Sequence, residues 1–593
     1  MVPRALTVVV PAAGLAAVGW WSGGYFPRSF GALLLAAAIG IAAVAIIADQ
    51  VELGGRTVAL GGALFALAAW QTVTTAWAVA PDAPVLEAER TLVYASGALL
   101  ALLAVPSRRA GYLVFAVLVG AGTATVTGLL AHALGAGTPD ERLELPVGYA
   151  NAAGIVAATA LVLGLGLSTG RGRVGRALAG GMVAPSAATL GLSVSRGAIV
   201  AAVLGVLVLG VVTACRRSLA TVAIVATPGL VAIGVVSLAG RLRDSGAAPR
   251  EVLTLVVIGG LAVAGGRLAV GRDWQDRGRQ DVAVRRRLPI VGLCALVVVG
   301  VAAAVTLEFG RSHPAPSIED GDAPDRLLST STSLRGDYWR VAVRMVEHHP
   351  LGGDGAGGFT RVWLHERPAL LFVRDAHNLY LETLAELGPL GLALLLVALG
   401  TPLLGARHAA SDAEGSAALA AYAGLLAHAA LDWDWELPAV TLCTLLLAVA
   451  LVRLGTHEPV RTLAFSGRAV GLGGATLLGA VAIVIHTGNG ATADANEFLD
   501  RGDAAAARAA AARAKRFRPW AAEPWELMGE AELGLGRVED ARADLRRALR
   551  RDPRSWGAWL SLAAASTGSA RDHAIARARA LNPLAPEVDL INP

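Results

Sequence analysis

Leu334-Arg335-Gly336-Asp337-Tyr338-Trp339 opens a polar stretch, Ser333 to Gly391, that passes through a glycine-rich turn, Gly352 to Gly358. The stretch then reaches Asp375-Ala376-His377-Asn378-Leu379-Tyr380. That run leads straight into an apolar segment, Leu387 to Leu404. A long loop of ionisable residues wedged between apolar segments is where chemistry at a membrane surface would sit. The rest of the chain is read outward from it.

Of the 593 residues, 55% are hydrophobic and 16% charged, and the mean hydropathy is +0.56. A soluble domain carries about 25% charged residues, so this is an integral membrane protein. Spanning helices need about 20 apolar residues, and about fifteen segments qualify. They are 5–21, 30–48, 57–77, 91–106, 111–135, 150–169, 174–192, 197–214, 219–239, 252–270, 288–308, 386–404, 415–431, 437–454 and 469–486. The first runs on into Trp20-Trp21 without a small-residue cleavage site, unlike a cleaved signal peptide. Arginines recur in alternate loops: Arg108-Arg109, Arg171 to Arg176, Arg216-Arg217, Arg272 to Arg287, Arg407, and Arg453 to Arg468. The positive-inside bias puts those loops in the cytoplasm. The loop 309–385 and everything after 487 then face outward from the cytoplasmic membrane. Lys515 is the sole lysine, and arginines gathered at helix ends are no nucleic-acid signal. Cys215, Cys294 and Cys443 are too scattered for a metal cluster or a disulfide framework.

Beyond the membrane segments of 1–486, residues 491–593 are rich in Ala, Arg and Glu. Pro519 and Pro553 lie 34 apart, as do Trp525 and Trp559. Trp525, Met528, Gly529, Ala541, Leu545, Ala548 and Pro553 fall at tetratricopeptide positions. The expected fold is therefore an α-helical polytopic membrane protein of about fifteen transmembrane helices with a C-terminal extracytoplasmic, tetratricopeptide-like α-solenoid. Helix pairs bury their apolar faces only against neighbours, so two or three units make a small stacked module. Its job is either to bind a protein partner or to serve as a rigid appendage.

Five places carry candidate chemistry. A helix over 334–349, capped by Ser331, Thr332 or Ser333 and stopped by Pro350, aligns Arg335 with Trp339, Ala342 and Val346. A guanidinium on an apolar face wants an anion; the alternative is snorkelling to lipid headgroups. Arg196 stands between two apolar runs near the outer surface, where it either binds an anionic group or anchors to headgroups. Two arginines grip a pyrophosphate well through bidentate hydrogen bonds. His377 could take a proton from an acceptor hydroxyl, oriented by Asp375, Glu382 or Glu386, although a lone His is often structural. Arg142 to Asn151, with Tyr149, forms a polar lead-in to a helix, and Leu431 to Glu436 puts two Trp and three acids at another outer boundary. Asp432-Trp433-Asp434 mimics the metal-binding pair of nucleotide-sugar transferases. Nucleotide sugars are cytoplasmic, however, and the Trp pair suits an interfacial belt. Gly353, Gly355 and Gly358 lack the strand-turn-helix context of a dinucleotide site. No zinc motif or serine nucleophile elbow is present.

Taken in order, these pieces resemble the O-antigen ligase/polymerase family over roughly 60–490. They are Trp77, Glu89-Arg90 and Tyr94; Arg142-Leu143, Pro146, Gly148-Tyr149, Asn151 and Gly154; and Ser195-Arg196-Gly197. There follow Arg335, Trp339, Met345, Pro350, Gly353, Gly355 and Phe359; His377-Asn378, Tyr380-Leu381, Glu386 and Gly388; then His428, Asp432, Trp435 and Pro438. The repeat tail resembles fusions in that family. The resemblance implies a glycosyltransferase that takes a glycan from undecaprenyl pyrophosphate at the outer leaflet and passes it to an acceptor glycan, lipid or protein, without metal or cofactor. Carried over by motif, Arg196 and Arg335 would hold the pyrophosphate and His377 would be the base. Arg142, Tyr149, Asn151, Trp339, Asn378 and Glu386 would support them.

Three other readings compete. A polymerase of the same family would join lipid-linked repeat units. A lipid-linked glycan transporter would bind the same pyrophosphate and make no bond, but it would show midplane charges and internal repeats, and 1–486 has no clear repeat. A scaffold acting through the tail leaves the Arg/His set unexplained.

Overall fold

The computed structural model describes residues 4–136, 142–170, 172–214, 335–456 and 458–591. The candidate spans 219–239, 252–270 and 288–308, the proposed caps Ser331 to Ser333, and Cys215 and Cys294 lie outside the described residues. The described chain is almost wholly helical. In the first half, α1 is Arg4–Trp20, α2 Phe30–Ile47, α3 Gly55–Thr74, α4 Ala83–Ala104, α5 Ala110–Ala133, α6 Ala150–Leu167, α7 Arg173–Gly181, α8 Val183–Ser193 and α9 Arg196–Ala214. After the gap come α10 Arg335–His348, α11 Phe359–Glu366, α12 Leu379–Gly400, α13 Ala413–His428, α14 Pro438–Gly455 and α15 Phe465–Asp500. Eight helices among the described residues are long and apolar enough to cross a membrane, and the apolar stretch Leu6–Trp20 is shorter.

Twelve of the fifteen predicted spans fall on helical segments, eight of them on helices long and apolar enough to cross a membrane, and two need their bounds corrected. The segment 174–192 is two helices, α7 and α8, broken at Met182 just after the weak helix formers Gly180-Gly181. The segment 91–106 begins earlier, at Ala83, because its first turns carry Glu87, Glu89 and Arg90, charges that an apolarity count passes over. All three pack inside: Glu89 accepts a hydrogen bond from Asn489 at 2.8 Å, and Arg90 pairs with Glu87 and with Glu436 at 2.7 Å.

The helices gather their connections at two ends. At one end, β1 (Gln50–Glu52) pairs antiparallel with β2 (Val460–Thr462). Buried Arg453 there donates to Val105 O at 3.1 Å, to Leu102 O and to Glu458 at 2.7 Å, while Ser107 N donates to Glu52 at 2.9 Å. Arginines 56, 108, 109, 407, 453 and 461 belong to these connections. The other end holds residues 75–82, 142–149, 193–196, 349–378 and 429–437. Backbone bonds join them: Leu143 N to Leu192 O at 3.1 Å, Val79 N to Asp354 O at 2.9 Å and Leu379 N to Ala429 O at 2.8 Å.

One break in a helix shapes this second end. Pro389 cannot donate to the carbonyl of Ala385, and Gly388 sits at φ +66, bending α12. The freed carbonyls find partners. Ala385 O accepts from Asp354 N at 3.1 Å, Glu386 O from Gly355 N at 2.9 Å, and Leu387 O from the Trp70 indole at 2.9 Å. The glycine-rich turn is thereby pinned to the kink. A Cβ on Gly353 would overlap the Glu386 carbonyl, so glycine is required there, at φ +65.

The C-terminal helices are α16 Ala504–Phe517, α17 Glu523–Gly534, α18 Val538–Arg551, α19 Trp556–Ala564, α20 Gly568–Leu581 and α21 Pro586–Ile591. Leu545, Ala548, Ala558, Leu562, Ala574 and Ala578 form their core. Gly529 lets α17 and α18 touch, since its Cβ would stand 2.5 Å from Leu545 Cγ. No gap separates this module from the membrane helices: α15 runs unbroken from Phe465 to Asp500 across the boundary read at 486–491.

Candidate active site

The predicted helix over 334–349 is observed as α10, Arg335–His348. Its apolar and polar faces separate. Trp339 and Ala342 are buried; Arg340 pairs with Asp337, and Arg344 with Glu366 at 2.6 Å. Arg335 leaves the apolar face to meet an anion of the chain itself, the fully buried Asp432, at 2.9 Å.

Asp432 is the hub of the site. Its Oδ2 accepts from Arg335 and from Asn151 Nδ2 at 2.7 Å; its Oδ1 accepts from Tyr149 Oη at 3.1 Å and from Trp433 N at 2.9 Å. Arg142 extends the network, donating to Asn151 Oδ1 at 2.5 Å and to Ser193 O at 2.8 Å. Burial pushes the Asp432 carboxyl up, but Arg335, His377 and His428 together with the Trp433 N–H outweigh it and hold it below the usual range. Asp432 is therefore a permanent anion.

His377 stands beside this pair. Its backbone is left-handed, φ +57, a costly conformation for a non-glycine residue and one found at functional sites. Its ring lies 5.1 Å from that of Tyr338, the α10 residue one turn after Arg335. Its Nδ1 is 3.0 Å from Asp375 O. A carbonyl only accepts, so Nδ1 carries the proton and Nε2 the lone pair. Burial lowers the His377 pKa from its ordinary 6.5; Asp432 opposes that shift, and Arg335 adds to it. The ring is neutral at pH 7.

The three carboxylates expected to orient His377 do other work. Glu382 accepts from Ala376 N at 2.6 Å, Glu386 accepts from Gly357 N at 2.8 Å and Phe359 N at 2.9 Å, and Asp375 orients the ring only through its backbone carbonyl. Glu386 thus fixes the glycine-rich turn and the start of α11. Asn378 caps α12, its Oδ1 accepting from Leu381 N at 3.0 Å. Trp339 is fully buried beside Met345, Phe359 and Trp363. So Arg335, Arg142, Tyr149, Asn151 and His377 come together, whereas Trp339, Asn378 and Glu386 brace the scaffold. Arg196 begins α9, three residues after the carbonyl that Arg142 holds and next to Gly197, which packs on the His428 ring.

The acids of 432–436, read at an outer helix boundary, turn inward. Asp434 bonds His428 at 2.8 Å, and Glu436 bonds Arg90. Asp375 lies against Glu436, and burial together with that carboxylate lifts the Asp375 pKa far above the usual range. Asp375, Glu382 and Glu436 each bring an oxygen within 4.8 Å of the others, the set among the described residues that could hold a metal ion. The sequence signal for these inward acids was three carboxylates within five residues after an apolar run.

Compared with known proteins, residues 181–396 match the family model described as O-Antigen ligase, and residues 522–565 match that of a tetratricopeptide repeat. The first match begins at the end of α7 and closes within α12, so it takes in Arg196, Arg335 and His377. No curated protein matches the chain.

Proposed function

From a chain that carries an O-antigen ligase domain and a C-terminal tetratricopeptide repeat, we propose a membrane glycan ligase with a specific donor and site. The donor is a glycan on undecaprenyl pyrophosphate, the acceptor a hydroxyl group, and the reaction runs at the outer face of the cytoplasmic membrane. The end that bears His377 faces outward and the arginine-rich end faces the cytoplasm, in line with the positive-inside bias. One observation carries the reading: a neutral imidazole, with Nδ1 tied to Asp375 O, beside an arginine held by a buried carboxylate.

The chemistry follows from those groups. Pyrophosphate leaves readily, so no strong general acid is needed. The acceptor oxygen attacks the anomeric carbon, the carbon–oxygen bond to the pyrophosphate breaks, and its electron pair stays on the phosphate oxygen. The hydroxyl proton passes to His377 Nε2 and then to solvent. Arg335 and Arg196 bind the pyrophosphate and stabilise its growing charge as preorganised donors. Asp432, Tyr149 and Asn151 hold Arg335 in place, and Arg142 holds Asn151.

The test uses purified protein in lipid with undecaprenyl-pyrophosphate glycan and candidate acceptors, with products separated by size and lipid attachment. Glycan leaving the lipid for another acceptor is expected; a ladder of longer lipid-linked chains would make the enzyme a polymerase instead. His377→Ala should abolish transfer while the protein remains folded and inserted. Near-normal turnover by that variant would remove His377 from the reaction.

A further inference from the structure

The repeat module does not hang free. Arg361 in α11 pairs with Asp552 at 2.6 Å, and Arg367 donates to Asn582 Oδ1 at 2.9 Å. Asp82, just before α4, accepts from Ala522 N at 2.7 Å and Glu523 N at 3.0 Å. A cavity of about 530 Å³, lined in part by Arg361, is walled by residues of both the membrane domain and the module. Tyr25, Glu87, Arg90 and Arg374 form its membrane-domain side, and Glu526 and Trp556 of the module form the opposite one.

The cavity adjoins the site described above. Asp375, two residues before His377, lines it. Tyr25 packs edge-on against Trp433 at 5.4 Å, and Trp433 leans on Tyr149 at 4.7 Å, the residue that donates to Asp432. A layer of aromatic rings separates the cavity from that carboxylate.

The lining mixes aromatic rings, carboxyls and guanidinium groups in a volume within the range of small-molecule sites. A purely apolar ligand would strand the charged groups, and a polyanion, which only accepts, would leave the acceptor oxygens of Glu87 and Glu526 without donors. A chain of hydroxyl-bearing rings suits the lining, because its faces stack on aromatic side chains and its edges both donate and accept. Glu526 is placed for this: Ser555 Oγ donates to it at 3.0 Å, and Gly557 leaves it room, since a Cβ there would stand 2.6 Å from its Oε1. Burial, with Glu530 nearby, pushes the Glu526 carboxyl up to about 8. At neutral pH it can therefore both donate and accept.

We propose that this cavity binds the carbohydrate chain of a glycan substrate, with the repeat module supplying one wall through Trp556 and Glu526. The proposal rests on the glycan-transfer reading and gives the module a part in substrate binding. The same chemistry belongs to the donor's glycan and to a glycan acceptor, and the experiment separates them. Full-length protein in lipid nanodiscs is titrated with three probes. One is sugar-free undecaprenyl pyrophosphate. The second is the oligosaccharide released by mild acid from the lipid-linked glycan of the source cells. The third is fragments of their envelope polysaccharide. Glu526→Gln, which keeps the side chain's shape, and Trp556→Ala are compared with wild type, with thermal unfolding as a check on folding.

Both variants should weaken binding of one sugar probe about tenfold and leave undecaprenyl pyrophosphate binding unchanged. Loss on the released oligosaccharide assigns the cavity to the donor, and loss on the fragments assigns it to the acceptor. If Trp556→Ala unfolds, Glu526→Gln alone decides. The proposal is overturned if folded variants bind both sugars as wild type does, or if wild type binds neither. Failure of the pyrophosphate reading would show separately, as wild type that does not bind the sugar-free lipid.

Discussion

Asp432→Asn is the substitution that tests the site most directly. The carboxylate accepts four hydrogen bonds, from Arg335, Asn151, Tyr149 and Trp433 N. An asparagine of the same shape keeps one oxygen and presents an NH2 to two of those donors. Arg335, 19% exposed, loses its buried counter-ion. Removing one partner of a buried pair costs about 3–5 kcal/mol, and the residual exposure of Arg335 favours the lower figure. If that loss falls on the placement of Arg335 in the transition state, turnover drops by a factor of about 100, since each 1.36 kcal/mol is tenfold. A second readout separates this role from a merely structural one. Asp432 raises the pKa of His377 and Arg335 lowers it. Neutralising Asp432 must therefore move the acid limb of the pH–rate profile further below the ordinary 6.5. The assay is transfer by reconstituted protein at saturating donor from pH 4.5 to 8. An acid limb that stays in place or moves upward in a folded variant would refute the coupling of Asp432 to His377. Turnover within about threefold of wild type would refute the role of the pair in catalysis.

Other expectations are briefer. Arg335→Lys keeps the charge but loses the planar fork, so the Kd for undecaprenyl pyrophosphate, measured in nanodiscs, should rise about tenfold. Gly388→Ala puts a Cβ against Leu351 O at φ +66; it should cost at least about 1–3 kcal/mol, read as a lower unfolding temperature and faster proteolysis within 349–358. Prolonged EDTA treatment should leave transfer unchanged, because the leaving group needs no Lewis acid. A loss restored by added Mg²⁺ would instead give Asp375, Glu382 and Glu436 a metal to hold.

The sequence was most legible where the signal is local. An apolar face at helical spacing and a terminating proline marked α10, and the one guanidinium on that face announced an anion-binding arginine. The anion's identity was not local: Asp432 lies 97 residues further on, and only folding brings it to Arg335. Together with Asp434 it matched the pattern of a metal pair, and in the fold its oxygens are engaged by Arg335, Asn151, Tyr149 and Trp433 N. The same limit explains Glu386 and Asn378. A carboxylate near a histidine suggests a proton relay, but the kink at Gly388-Pro389 turns Glu386 toward two backbone N–H groups, and Asn378 is used up as a helix cap. The start of α4 was missed because charges pointing into a polar interior resemble a loop when only hydropathy is counted.

How a buried Arg335–Asp432 pair can also hold a pyrophosphate follows from which atoms are engaged. Asp432 meets Arg335 through one terminal nitrogen, and the guanidinium carries five N–H donors. The carboxylate is held independently by Tyr149, Asn151 and Trp433 N, none of them charged. It has no reason to leave when a second anion arrives. Arg335 can therefore keep Asp432 on one side and present its remaining donors to a phosphate on the other. A lone arginine would have to be ordered by its substrate, whereas this one is already oriented, so less of the binding energy goes to fixing its rotamers. On the same reasoning, the charge of Asp432 weakens ground-state pyrophosphate binding by partly neutralising Arg335. Asp432→Asn should accordingly bind undecaprenyl pyrophosphate no more weakly than wild type wherever Arg335 keeps its ground-state position, so that the loss of turnover is confined to the placement of Arg335 in the transition state. A parallel loss of both would mean that Arg335 had moved, and would place the effect in geometry rather than in charge.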